Sequence, residues 1–121
     1  MSTTEETRAV VDRFNEVFNT HDVDAIMDLM TEDVYFDNTT PPDGEAFRGQ
    51  EAVRAFWERF FGSTPGAWFD AEDIFAADDR CAVAWRFTFE KSNPDSGHVR
   101  GVDLFRVREG RVAEKLSYVK G

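Results

Sequence analysis

The sequence predicts a single α+β domain, residues 1–121, in which three helices pack into a curved, mostly antiparallel β-sheet. Three observations lead there. Apolar residues recur at helical spacing in three stretches of the first half, β-branched and aromatic runs divided by turn residues fill the second half, and no linker or repeat intervenes. Helices early and strands late do not alternate as a parallel α/β sheet requires.

Ser2-Thr3-Thr4-Glu5-Glu6 holds two overlapping capping boxes, and Val10, Val11, Phe14, Val17 and Phe18 follow at helical spacing, so a first helix is expected over residues 4–19. Asn19-Thr20-His21-Asp22 breaks it. Asp22 can cap a short second helix whose apolar face is Val23, Ile26, Met27 and Met30. Residues 34–38 alternate as a strand with Val34, Phe36 and Asn38 on one face, and the Pro- and Thr-rich run 39–44 must be a loop. A third helix is expected over residues 49–61, with Ala52, Val53, Phe56, Trp57, Phe60 and Phe61 on its apolar side. Four strands complete the chain, over residues 67–77, 81–90, 98–107 and 111–119.

The last two strands organise the rest. A three-residue loop, Arg108-Glu109-Gly110, places Val107 opposite Arg111, Phe105 opposite Ala113, Asp103 opposite Lys115 and Gly101 opposite Ser117, all on one face. Val102, Leu104, Val112, Leu116 and Tyr118 then share the other. Both faces are apolar enough for burial, and one carries a charge pair at its centre.

A net charge of −10 repels phosphate backbones and anionic bilayers, so neither a nucleic-acid nor a membrane partner is expected. With one cysteine, Cys81, in an apolar run, and with no apolar leader or long apolar span, the expectation is a cytoplasmic protein. Glycine-rich phosphate loops, paired Cys-x-x-Cys, His-x-x-x-His and nucleophile-elbow patterns do not occur, which argues against metals and cofactors. His21 and His98 fall at a helix end and a strand start, where structural or surface roles are expected. Twelve Phe and three Trp imply an aromatic core or an aromatic-lined cavity.

Asp103 is the residue that calls for chemistry, because aspartate is disfavoured in mid-strand. An aromatic cavity disfavours a charged carboxylate and a neighbouring Lys115 favours it, so the pair is either a proton-handling site or an exposed cross-strand ion pair of small value.

The chain as a whole resembles the SnoaL-like and ketosteroid-isomerase-like families, whose fold is that of nuclear transport factor two, a cystatin-like cone. The resemblance rests on Ala9-Val10-Val11-Asp12-Arg13-Phe14, on Asn19, Asp22 and Asp24, and on Leu29 with Asp33. It continues through Arg48-Gly49, Ala52-Val53-Arg54-Ala55-Phe56-Trp57, Val102-Asp103-Leu104-Phe105-Arg106 and Gly110-Arg111-Val112. It implies a strongly bent sheet enclosing a pocket, an outer sheet face that forms a homodimer, and Phe14, Phe36, Asn38, Trp57, Phe87, Asp103, Lys115 and Ser117 turned toward the pocket.

The family's known catalytic sets are incomplete in this chain. At the positions of the steroid isomerases' tyrosine and base stand Phe14 and Asn38, and only the Asp103 position is kept. SnoaL-type cyclases place an aspartate where this chain has Ser117 and a histidine where it has Lys115. Epoxide hydrolases of this fold need an arginine where it has Gly101, and a second aspartate at Ser117. The expected function is therefore binding of a small apolar or aromatic molecule with a polar group, met by Asp103, Lys115, Ser117 and Asn38, without a cofactor. Two alternatives stand beside it: an isomerase, cyclase or hydrolase using Asp103 and Lys115, and a dimeric association module without a pocket.

Overall fold

Residues 3–120 are described in the computed structural model, Pro94 in its backbone only, and the capping box that starts at Ser2 lies outside them. The elements are α1 (Thr3–Phe18), α2 (Val23–Asp28), β1 (Met30–Asp37), β2 (Ala46–Arg48), α3 (Gln50–Ser63), β3 (Trp68–Ala77), β4 (Arg80–Thr88), β5 (His98–Arg108) and β6 (Arg111–Val119). A 3₁₀ turn, Pro94–Ser96, links β4 to β5. The strands form one curved, unclosed sheet in the order β2-β1-β6-β5-β4-β3, antiparallel except where β1 runs parallel to β6. The C-terminal hairpin thus lies in the interior of the sheet.

The helices close onto the sheet's concave face through specific polar ties. Asp22 caps α2 by accepting the Ala25 amide. Asn19 clamps β3 with both ends of its amide, donating to Phe69 O and accepting from Phe69 N at 2.8 Å each. At the other end of α1, Thr4 accepts from the Asp78 amide and the buried Thr7 donates to the Asp78 carbonyl, pinning the β3–β4 turn. Gln50 Nε2 donates to the carbonyls of Met27, Met30 and Thr31, which fixes α3 to the α2–β1 junction. Around these ties Val11, Phe14, Ile26, Met27, Val34, Val53, Val83 and Phe105 are all but inaccessible to solvent.

Three sequence expectations change and one strand is added. Helix α2 stops at Asp28, and Met30 opens β1 because the Leu29 carbonyl accepts from the Val112 amide and Met30 pairs with Val112. Residues 46–48, between the expected loop and third helix, were assigned no element; they form β2, which pairs with β1 through Phe36 and Phe47. The β5–β6 loop has two residues, Glu109 and Gly110, both at positive φ (53° and 75°) as a tight hairpin turn requires, so Arg108 rather than Val107 faces Arg111. A bulge between the Val107–Val112 and Arg106–Glu114 pairs then shifts the register again, leaving Asp103 opposite Ser117 and Phe105 opposite Lys115.

The bulge also explains why face assignments mostly survive. Two residues of offset preserve the alternation, so Asp103, Phe105, Val107, Ala113 and Lys115 are buried as expected, whereas Arg111 is exposed and Val112 joins the core. On the opposite face Val102 and Tyr118 are exposed.

Candidate functional site

Between the helices and the concave sheet face the side chains leave a cavity of about 230 Å³. Its wall takes Phe14 from α1, Phe36 from β1, Asn38 just beyond it, Trp57 from α3, Phe87 from β4, Asp103 from β5, and Lys115 and Ser117 from β6. All eight residues singled out in the sequence therefore meet in one place. They are brought there by the period of two along each strand and by the buried stripes of α1 and α3.

Asp103 and Lys115 make the polar centre. Lys115 Nζ lies 3.3 Å from Asp103 Oδ2 and donates to Ser117 Oγ at 2.8 Å. The two residues are 2% and 7% exposed, so the reading of an exposed ion pair does not hold. Two aromatic rings lie near the ammonium, with Nζ 4.7 Å from the Phe36 centroid and 5.6 Å from that of Trp57. Those two rings stack on each other at 5.0 Å. The second carboxylate oxygen, Asp103 Oδ1, is buried and has no hydrogen-bond partner among the described residues. A buried acceptor in that condition loses its hydration without replacement, which costs about 1–3 kcal/mol.

Asn38 departs from the expected role. Its Oδ1 accepts from the amides of Thr40 and Glu45, at 3.0 and 2.8 Å, and so holds the 39–45 loop against the end of β1. Only its NH₂ remains for a ligand.

The wall also includes residues not foreseen. Asn15 Nδ2, Trp57 Nε1 and Trp85 Nε1 are buried donors without partners among the described residues, and all three residues line the cavity. Asn15 was legible as a polar residue within the apolar stripe of Val11, Phe14 and Phe18, and Trp85 as the partner in phase with Val83 and Phe87. Phe89, 41% exposed, follows directly after β4 and also lines the cavity.

The Trp85 indole lies over Gly101, close enough that a Cβ there would overlap the ring and the Tyr118 carbonyl. No side chain can enter from that position. Arg100, one residue earlier, forks onto Glu72 and meets His98 among exposed residues instead, and the Glu72 carboxylate lifts its pKa. His21 stacks on Phe61 at 4.6 Å and hydrogen-bonds the Ala67 carbonyl through Nε2, a structural role at the end of α1.

A family model described as the SnoaL-like domain matches residues 11–115. The chain belongs to the SnoaL-like domain family. A nuclear-transport-factor-two-like protein of unknown function from Mesorhizobium loti is 38% identical to this SnoaL-like domain, with a TM-score of 0.84 over 100% of this chain and 96% of that one. Two more distant structures show the shared fold. One, from Kribbella flavida, is described as a candidate ketosteroid isomerase (21% identity, TM-score 0.83, 100% and 82% covered). The other, from Xanthomonas campestris, is described as a candidate polyketide cyclase (23%, 0.75, 98% and 93%). No curated protein matches the chain. No helix among the described residues of this SnoaL-like domain is long and apolar enough to cross a membrane.

Proposed function

We propose that this SnoaL-like domain binds a small, mostly apolar molecule, aromatic in part, whose polar group enters the Asp103–Lys115–Ser117 cluster. The observation that carries the proposal is the unpartnered Asp103 Oδ1 in the wall of an aromatic cavity. An O–H or N–H of a ligand would satisfy it, while rings would stack on Phe36, Trp57 or Phe87. The cavity favours this reading over an association module filled by its own side chains. Val119, 38% exposed, lines the cavity at the end of β6, so Val119→Trp should narrow its opening without entering the core. In an NMR screen of small phenols, aryl alcohols and aryl ketones, compounds that shift the Phe87 and Ser117 amides of the parent protein should bind Val119→Trp at least about tenfold more weakly. Equal binding to both proteins, or no compound that shifts those amides, would refute the proposal.

A second reading, acid–base catalysis by Asp103, is favoured by the same carboxylate: one oxygen is held by the ammonium and the other is available to accept and return a proton. Folded Asp103→Asn protein that kept a measured turnover would eliminate it. We further propose that the outer sheet face forms a homodimer, supported by the cross-strand apolar rows Phe75–Ala82–Leu104–Leu116 and Ala84–Val102–Tyr118.

A further inference from the structure

We propose that Lys115 is an amine nucleophile that condenses with an aldehyde or ketone held in the cavity, giving a protonated imine; this rests on the cavity's being a ligand site. Among the described residues the ammonium has one hydrogen bond, to Ser117, and one charge partner, Asp103, and the Phe36 and Trp57 rings lie beside it. A lysine confined in apolar surroundings with a base beside it has the two features that activate an amine for attack on a carbonyl.

The step balances within the pair. Asp103 Oδ2 takes a proton from Nζ, the freed lone pair adds to the carbonyl carbon, and a second proton moves from nitrogen to the former carbonyl oxygen. Asp103 returns its proton to that hydroxyl, which leaves as water when the C=N bond forms. An ammonium, a carboxylate and a carbonyl become an iminium, the same carboxylate and one water. The buried charge is unchanged, so Asp103 neutralises the product cation as it did the ammonium. The substrate class is an aldehyde or ketone on an aromatic or apolar body that fits about 230 Å³.

The chain has three lysines, Lys91, Lys115 and Lys120, and exposure alone would rank the buried Lys115 last for chemical labelling. Wild-type protein is treated with benzaldehyde and sodium cyanoborohydride, and the benzylated lysines are mapped by peptide mass spectrometry. The expected result is capture at Lys115 about tenfold faster than at either surface lysine. Labelling of Lys91 and Lys120 with Lys115 untouched would overturn the proposal. Benzyl alcohol, which lacks the carbonyl, separates the two readings. If it shifts the Ser117 amide while Lys115 stays unlabelled, only condensation fails. If it neither shifts that amide nor protects it, and Lys115 is unlabelled, the ligand site fails as well. Asp103→Asn, checked for folding by circular dichroism, should slow capture at Lys115 by about a hundredfold. An unchanged rate would overturn the proton route through Asp103, and the wild-type map stands even if the variant does not fold.

Discussion

Lys115 and Asp103 hold each other in place at the cost of two desolvated charges, so either one alone is a liability. Asp103→Asn leaves the ammonium buried without its counter-ion, and Lys115→Met leaves the carboxylate in the same condition. Each single variant should lose about 3 kcal/mol in urea unfolding, whereas Asp103→Asn with Lys115→Met should recover most of that loss. Additive losses in that cycle would show that the two charges do not depend on each other. Cys81 offers a pH test. Burial pushes its thiol from 9.0 up to about 11, so the unfolded chain ionises first as pH rises. Its contribution to stability is complete below pH 9 and fades toward pH 11. The stability difference between the parent and Cys81→Ala should shrink over that interval, and the thiol of the folded protein should resist a thiolate-specific disulfide reagent at pH 8. At this scale the sequence was informative wherever a side chain broke its context. Asp103 in mid-strand was one such residue. Asn15, a polar residue in a helical stripe, carries the same kind of signal.

Elements were legible where periodicity ran long enough to outvote single residues. Helices α1 and α3 and strands β3 to β6 fall within a few residues of expectation because their apolar spacing is sustained. Strand β2 was not legible, since Ala46-Phe47-Arg48 is too short to show alternation and follows a turn-rich loop. The bulge in β6 was hidden for a different reason: Val112 and Ala113 are both apolar and both buried, so neither phase is excluded by the pattern. The hairpin itself depends on left-handed backbone at Gly110, and Gly110→Val should cost about 1 kcal/mol or more by urea unfolding, against almost nothing for Arg111→Lys outside the turn. Asn38→Ala removes the acceptor shared by Thr40 and Glu45. Hydrogen exchange at those two amides should accelerate markedly while the β3–β4 ladder stays protected, and unchanged exchange would remove Asn38 as the loop's anchor.

The whole molecule is one sheet wrapped around three helices, and the sheet has two apolar faces with different fates. The concave one is covered by α1, α2 and α3. The convex one presents Leu104 and Leu116 side by side, next to the exposed Val102–Tyr118 pair. If this face forms the proposed homodimer, Leu104→Asp should give a monomer by light scattering with near-parent circular dichroism, and an unchanged mass would refute the proposed interface. The family was legible because its pattern spans the chain; the ligand was not, because a cone lined with rings specifies shape and polarity before it specifies a molecule. The sheet's strand order also sets a timetable. Strand β1 finds its parallel neighbour only when β6 arrives, as the pairing of Met30 with Val112 requires, and the cone cannot close before then. The β1–β6 pairs join residues far apart in the chain, whereas the other strands pair with their neighbours in sequence, so this one closure is slow and leaves β1 with an unmet edge while the later strands are made. A nascent chain of this architecture is most in need of chaperone cover during that interval, and variants that weaken the β5–β6 turn should lose yield of folded protein before they lose stability once folded.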